Sequence, residues 1–126
     1  GEPWIKLNPN YDAINVESQE KDPTSILHFY RKMIQLRKKY PVLVYGRFNV
    51  LDIENDKVFA YYRQDGEYNL LVVLNFSDQE TLFKLDKAYE NDNLLRIVSN
   101  YRATGEILTP GEVLLNPWEA IMFKVK

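Results

Sequence analysis

The sequence predicts a mainly β protein, in which one long α-helix is followed by an antiparallel β-sandwich. Residues 22–40 carry apolar side chains at helical spacing, whereas residues 42–126 contain short apolar runs separated by turn-forming pairs. Aromatic residues make up 13% of the 126 residues, a high share that suits strands. The hydrophobic share of 45% and the charged share of 27% are ordinary for a folded domain.

The first 21 residues are predicted to form an irregular loop. Pro3 and Pro9 interrupt any regular period, and Asn8-Pro9-Asn10 is a turn signal. An irregular stretch of this length is uncommon inside a compact domain. We therefore expect a loop that is shaped by a neighbouring part of a larger protein. No signal-peptide pattern is visible, and we expect a cytoplasmic protein.

Residues 22–40 are predicted to form the helix. Asp22 is a suitable N-cap and Pro23 a suitable first helical residue, because the first helical N–H groups have no partner within the helix. The helix is predicted to end at Tyr40-Pro41, since proline disfavours helical geometry in the residue before it. An apolar stripe follows the helix and comprises Ile26, Leu27, Phe29, Tyr30, Met33, Ile34 and Leu36.

The same region carries the densest local charge. Residues 21–47 contain seven basic residues and one acidic residue. We interpret the basic residues as the solvated C-terminus of a helix, with a phosphate-binding patch as the alternative. Arg37 follows Met33 on the apolar stripe, so we expect it to find a carboxylate or carbonyl partner or to extend its head into solvent. His28 falls on the polar side and is interpreted as a solvated surface residue, with a general base as the alternative.

Residues 42–126 are predicted to form the sandwich. Asp65-Gly66 is a hairpin signal, because glycine readily adopts the positive φ that such turns need. The run 69–76 is apolar on both faces and is predicted to be a central strand. The predicted strands span 42–45, 48–53, 57–63, 69–76, 81–85, 94–99, 113–115 and 120–125.

Composition excludes several classes of function. The chain has no Cys and one His, which removes thiol catalysis, disulfides and a histidine-based metal cluster. A net charge of −2 argues against a nucleic-acid partner, and no apolar run is long enough for a membrane span. Asp52, Glu54 and Asp56 alternate as in a calcium loop, but Lys57 and Arg63 stand where an EF-hand needs Gly and Glu. We therefore predict a solvated hairpin turn there, and no metal or cofactor.

No catalytic residue is assigned from the sequence. Thirteen acids lie in residues 48–126, almost all beside turn signals, where a carboxyl stays solvated and its pKa is not raised for acid catalysis. Five aromatic residues could stack on sugar rings, but we interpret most of them as packing residues of the core or of a sheet edge. These five residues are Trp4, Tyr11, Tyr89, Tyr101 and Trp118.

Several motifs, taken together, resemble one enzyme group. They are the run from Pro3-Trp4 to Asn8-Pro9-Asn10-Tyr11, the run Ile14-Asn15-Val16, the helix with Phe29-Tyr30-Arg31-Lys32 and Leu36-Arg37-Lys38, Val44-Tyr45-Gly46, Phe59-Ala60-Tyr61, Leu74-Asn75-Phe76 and Pro117-Trp118-Glu119-Ala120. The pattern resembles the C-terminal part of the oligo-1,6-glucosidases and α-glucosidases of the α-amylase superfamily (glycoside hydrolase family 13). Trp118 is a departure, since the family usually has Tyr there. The resemblance covers essentially the whole chain.

The resemblance implies an assignment for each part of the chain. Residues 1–41 would be the last βα loop and final helix of a truncated (β/α)8 barrel, and residues 42–126 the Greek-key C-terminal sandwich called domain C. The family's nucleophile Asp, acid/base Glu and stabilising Asp lie on barrel strands before residue 1. The chain alone is therefore expected to be inactive, whereas the parent would hydrolyse α-glucosidic bonds with retention. Trp4, Asn8, Asn10 and Tyr11 are expected to border the substrate cleft of the parent.

The resemblance also implies partners. We expect the catalytic barrel to be the main partner, with α-linked gluco-oligosaccharides bound through the parent. A second copy is expected to pair through the helix face from Ile26 to Leu36 if this face does not fold back on the sandwich. One alternative is a carbohydrate-binding module that uses exposed aromatic residues. Alternative parents are a trehalose-6-phosphate hydrolase, a dextran glucosidase or a sucrose isomerase, and no cofactor is implied.

Overall fold

A computed structural model describes residues 1, 3–51, 54–85, 93–108 and 111–125. The chain divides into two compact units, residues 1–39 and residues 40–126. The first unit contains two helices, and the second contains the sheets.

The first unit holds helix α1, Val16–Lys21, and helix α2, Ile26–Lys39. The prediction of an irregular loop over residues 1–21 is wrong for α1. Asn15 is its N-cap: the Asn15 side chain accepts a hydrogen bond from Ser18 N at 2.8 Å, and the Ser18 hydroxyl accepts one from Asn15 N at 3.2 Å. This reciprocal pair is a capping box, which satisfies backbone donors that a helix start leaves free.

Helix α2 begins later than the sequence predicted. Asp22 is the extended C-cap of α1, and its carboxylate accepts hydrogen bonds from Thr24 N at 2.8 Å and Thr24 Oγ1 at 2.7 Å. The first helical hydrogen bond runs from Phe29 N to Ser25 O at 3.0 Å. The predicted start at Asp22 and Pro23 is therefore wrong, because Asp22 stabilises the turn between the helices instead of capping α2.

Polar contacts join the two helices. The Ser25 hydroxyl donates to Gln19 O at 2.7 Å, and Leu27 N donates to Gln19 Oε1 at 3.0 Å. Arg31 Nη2 lies 2.9 Å from Glu20 Oε1 in an exposed ion pair. No described helix is long and apolar enough to cross a membrane.

The second unit opens with a short helix, α3, at Val42–Tyr45, where the sequence predicted a strand. Gly46 N donates to Val42 O at 2.9 Å and closes this turn. A Cβ on Gly46 would lie 2.5 Å from Val42 Cγ2 and 2.9 Å from Gln64 O, so glycine is needed for this close approach. Pro41 precedes the turn with helical φ and ψ of −56° and −25°, a conformation that proline readily adopts.

Eight strands follow among the described residues. They are β1 Arg47–Leu51, β2 Val58–Gln64, β3 Asn69–Asn75, β4 Thr81–Lys84, β5 Leu94–Ser99, β6 Ile107–Leu108, β7 Glu112–Leu115 and β8 Ala120–Val125. The predicted runs 94–99 and 120–125 coincide with β5 and β8. The sequence missed β6, which is only two residues long.

The described strands form two antiparallel sheets. The larger has the order β1-β2-β3-β8-β5-β6, and the smaller pairs β4 with β7. Strand β8 lies between β3 and β5, which are not adjacent in sequence. The register between β5 and β8 shifts between Arg96 and Val98, as at a β-bulge.

Apolar side chains from both sheets meet in one core, which confirms the predicted antiparallel sandwich. Burial alternates along β7, as expected for a strand with one face on the core. Strand β3 is buried on both faces for most of its length, as predicted for a central strand. The core comprises Val58, Ala60, Tyr62, Leu71, Val73, Leu94, Ile121, Phe123 and Val125 from the larger sheet and Phe83, Leu85, Val113 and Leu115 from the smaller sheet and its end.

Candidate functional site

The four predicted cleft residues lie at and before a turn ahead of α1. Tyr11 N donates to Asn8 O at 3.1 Å, and Asn10 N lies 3.4 Å from Asn8 Oδ1. Asn10 O accepts hydrogen bonds from Ala13 N and Ile14 N at 3.0 and 2.8 Å. The structure therefore brings Asn8, Asn10 and Tyr11 together.

The turn is tied to α1 through Asn15. Its amide nitrogen donates to Tyr11 O at 3.0 Å and to Asp12 O at 3.2 Å. Trp4 precedes this hydrogen-bonded region, and its side chain is 94% exposed. Sequence reasoning missed the role of Asn15, although the Asn-x-x-Ser spacing of the capping box is visible in the sequence.

The single histidine and Arg37 of the basic region lie on helix α2. His28 is half-buried at the surface, and its Nε2 lies 3.1 Å from Glu20 O. Because a carbonyl oxygen can only accept, Nε2 is the donor in this contact. Arg37 is exposed, in agreement with the expectation that its head reaches solvent.

The turn that resembled a calcium loop is a hairpin connection where it is described. Asn55 Oδ1 accepts hydrogen bonds from Lys57 N at 3.0 Å and Val58 N at 2.9 Å, a pattern of Asn-stabilised turns. The first acid of the pattern, Asp52, lies outside the described residues, as does Tyr89. Among the described residues, no group of three His, Cys, Asp or Glu side chains is arranged to hold a metal ion.

Glu119 contradicts the expectation that turn acids are solvated, because its side chain is fully buried. Glu119 Oε1 accepts from Ser99 Oγ at 3.0 Å and lies 3.0 Å from Arg102 Nε. Glu119 Oε2 accepts from Arg102 Nη2 at 3.0 Å and from Asn116 N and Nδ2, both at 2.8 Å. Donors surround both oxygens, so this carboxylate is a structural acceptor and not a catalytic acid.

A second polar centre lies beside it. The Asn75 amide nitrogen donates to Gln79 O at 2.7 Å and Asn116 O at 2.8 Å, while its oxygen accepts from Ser77 N and Oγ. Asn75 N also donates to Glu119 O at 2.8 Å. These bonds connect β3, the turn after it and the turn before β8, so the two centres form one polar network.

Arg96 is another buried charged residue, with 3% of its surface exposed. Its Nη1 lies 2.8 Å from Glu106 Oε2 and donates to Ala103 O at 3.0 Å. Its Nε is buried without a hydrogen-bond partner. Glu106 is more than half exposed, so this ion pair joins a buried strand to the surface.

Clearly shifted pKa values include those of Asp22, Tyr61 and Tyr68, and none of these three shifts moves a group toward neutral pH. Hydrogen bonds from the hydroxyl and N–H of Thr24 lower the pKa of Asp22 below its ordinary value of 3.8. Burial raises the pKa of Tyr61 above its ordinary value of 10.0, and a hydrogen bond with Glu67 raises that of Tyr68. General acid–base catalysis works best with a pKa near the operating pH, so these shifts do not mark a catalytic centre.

Family models match nearly the whole chain. Residues 1–46 match the model described as "Alpha amylase, catalytic domain", and residues 48–120 match "Maltogenic Amylase, C-terminal domain". The boundary between the matches falls where α3 gives way to β1.

Relatives and solved structures agree with these matches. The chain is 38% identical over its full length to an oligo-1,6-glucosidase from Parageobacillus thermoglucosidasius and 36% identical to one from Bacillus cereus, and it spans 22% of each relative. The structure aligns over its full length with isomaltulose synthase from Klebsiella sp. LX3, with a TM-score of 0.88, 35% identity and 22% of that chain covered. The chain therefore belongs to the α-amylase superfamily of glycoside hydrolases, with a segment of the catalytic-domain type followed by a C-terminal domain of the maltogenic amylase type.

Proposed function

We propose that this chain is the non-catalytic C-terminal part of an enzyme that acts on α-glucosidic bonds, and that it stabilises the catalytic barrel. In this proposal residues 1–41 form the last βα loop and final helix of the barrel, and residues 42–126 form the sandwich beside it. Two oligo-1,6-glucosidases among the relatives support α-1,6-linked gluco-oligosaccharides as substrates of the whole enzyme.

The observation that carries the proposal is the α2 apolar face, which we define as Ile26, Tyr30 and Ile34. These residues are spaced four apart on α2 and are 82%, 66% and 43% exposed. No described side chain of α2 is buried, although helices in compact domains normally bury one face. Fully burying three such side chains stabilises a protein by roughly 5 kcal/mol. A catalytic barrel would cover this face.

The chemistry of the chain supports a non-catalytic role. Retaining glycoside hydrolysis needs two carboxyl groups about 5–5.5 Å apart, one of which acts as acid and base. Glu119 is the sole fully buried acid among the described residues, and its oxygens are already occupied. The catalytic carboxylates would therefore come from the barrel, and Trp4, Asn8, Asn10 and Tyr11 would border its cleft.

A chimeric enzyme tests this role. The matching C-terminal segment of the Bacillus cereus oligo-1,6-glucosidase is replaced by this chain, and hydrolysis of isomaltose is measured. We expect an active chimera that loses activity and solubility when Ile26 and Ile34 are both changed to Glu. Lys38→Glu, at an exposed position of the same helix, is the matched control and should keep activity. Full activity of the double variant would contradict the proposed role.

The chain alone gives a second test. Without a barrel, we expect the α2 apolar face to pair two copies or to bind a hydrophobic dye, and we expect no turnover of nitrophenyl α-glucoside. Light scattering measures the first outcome, and Ile26→Glu with Ile34→Glu should abolish it. A clean monomer with low dye binding would count against an exposed docking face, and turnover by the pure chain would contradict the non-catalytic role.

A further inference from the structure

Trp118 has an unusual backbone conformation. Its φ is +57°, and it is the sole non-glycine residue with positive φ in the described part of the chain. This region of backbone space favours glycine, and a bulky side chain there is strained. Residues held in this way are concentrated at ligand sites and other functional sites, where surrounding contacts maintain them.

Hydrogen bonds hold the strained peptide on both sides. Trp118 N donates to Ser77 O at 3.0 Å, and Asn100 Nδ2 donates to Trp118 O at 3.0 Å. Glu119 N donates to Asn116 O at 3.1 Å and closes the turn. The buried Glu119 carboxylate is bound from three sides, so the residue after Trp118 cannot shift to relieve the strain.

Burial of the indole does not account for this strain, because the Trp118 side chain is 57% exposed. Tyr101, also 57% exposed, follows Asn100, whose amide nitrogen donates to Trp118 O. Asn100 Oδ1 accepts from Ala120 N at 2.8 Å, so one side chain joins the two segments that carry these rings. The turn thus presents an aromatic ring to solvent from a rigid support.

We propose that Trp118 and Tyr101, with the Asn100 amide at their side, form a surface that binds the pyranose ring of an α-glucoside. The ligand class rests on the proposed function, whereas the site rests on the geometry of the turn. Aromatic rings with a polar edge offer an apolar face to ring C–H groups and a donor to hydroxyls. A platform that is already rigid loses little conformational entropy on binding.

The local electrostatics favour a neutral ligand over a phosphate. Arg102 follows Tyr101 directly in sequence, and its guanidinium lies 3.0 Å from Glu119 Oε1 and donates from Nη2 to Leu114 O at 2.7 Å. Its charge is therefore already balanced by a buried carboxylate, whereas phosphate sites need free cations or clustered N–H donors. An uncharged polyhydroxyl ring fits such a surface.

Titration of the whole chain with isomaltose tests the proposal, with sorbitol as a polyol that has no pyranose ring. We expect saturable changes in backbone amide NMR shifts, a readout that does not depend on the indole, with a Kd of about 1 mM for isomaltose and no saturable change with sorbitol. Trp118→Gly should weaken binding at least tenfold, whereas Trp118→Tyr keeps an aromatic ring and should bind within about threefold of the parent chain. Tyr45→Leu, which removes an 86% exposed ring outside this turn, is the matched control and should retain the response.

Thermal unfolding separates binding from packing. Trp118→Gly relieves the backbone strain, which stabilises the fold, and removes the contacts of a half-exposed indole, which destabilises it. Because the two effects oppose each other, the Tm should stay within about 3 °C of the parent. Unchanged isomaltose binding in Trp118→Gly, or loss of binding in Tyr45→Leu alone, would overturn the proposal. A fall in Tm above about 10 °C with no sugar response in the parent chain would assign Trp118 to packing. The chimera experiment does not depend on this surface, so the two proposals fail separately.

Discussion

Removing the buried charge of Glu119 is the sharpest test of how the sandwich is held together. In Glu119→Gln the side chain keeps its shape but loses its charge, and one oxygen becomes an NH2 group. That NH2 would face donors, either those of Asn116 with Arg102 Nη2 or Ser99 Oγ with Arg102 Nε. At least one donor pair is then left without an acceptor in a buried site, which costs about 1–3 kcal/mol.

The lost ion pair adds to this cost. Breaking a buried pair by removing one partner costs roughly 3–5 kcal/mol, but the Arg102 side chain is 30% exposed and is partly hydrated after the change. We therefore expect Glu119→Gln to lower the free energy of unfolding by about 3 kcal/mol. For a domain of this size that corresponds to a fall in Tm of about 10 °C.

Urea unfolding followed by circular dichroism measures this difference. Glu112→Gln is the matched control, because Glu112 lies on β7 in an exposed ion pair with Lys84 at 3.3 Å. The control should change stability by less than about 0.5 kcal/mol. A loss below about 1 kcal/mol for Glu119→Gln, with a native spectrum, would refute the view that this carboxylate is a structural acceptor.

Three further predictions follow from contacts described above. Gly46→Ala should destabilise the sandwich by about 1–3 kcal/mol in urea unfolding, because its Cβ would lie 2.5 Å from a neighbouring methyl, whereas Gly66→Ala, with open space around it, should be neutral. Glu106→Gln should cost about 2 kcal/mol by leaving the buried Arg96 without its carboxylate, and adding Arg96→Met should recover most of the loss; no recovery would contradict the assignment. The Asp22 carboxyl should titrate below pH 3.8 by NMR; its lowered pKa stabilises the fold above the unfolded-state pKa, and this contribution is lost as pH falls through the folded-state value.

The sheet was predictable because its signal is local. Strands β5 and β8 coincide with runs read from alternating and apolar side chains, and the turns between most strands carry Gly, Asn or Asp. Residues 42–45 misled the prediction, since two valines among four residues favour a strand. The close contact at Gly46 and the proline before the turn outweigh that preference.

The polar centres were not predictable, because each joins segments that are distant in sequence. Glu119 is bonded to Asn116 on its own turn and to Ser99 and Arg102, which lie 20 and 17 residues before it. Nothing in a single sequence shows that these segments meet. The predicted start of α2 was wrong for a related reason. Asp22 and Ser25 are both suitable N-cap residues, and the hydrogen bond from Ser25 to α1 determines that the helix begins after Ser25.

The position of β8 has a consequence for the order in which the molecule folds. Every other described strand is synthesised before β8, yet β8 fills the gap between β3 and β5 in the larger sheet. The three-stranded unit β1-β2-β3 and the hairpin β5-β6 therefore leave the ribosome before β8, and the edges of β3 and β5 that pair with β8 are still unpaired. Contacts between distant parts of a chain form slowly, so the nascent chain exposes these edges until residues 120–125 emerge. During that interval a chaperone, or a strand of another chain, competes with β8 for the same hydrogen bonds.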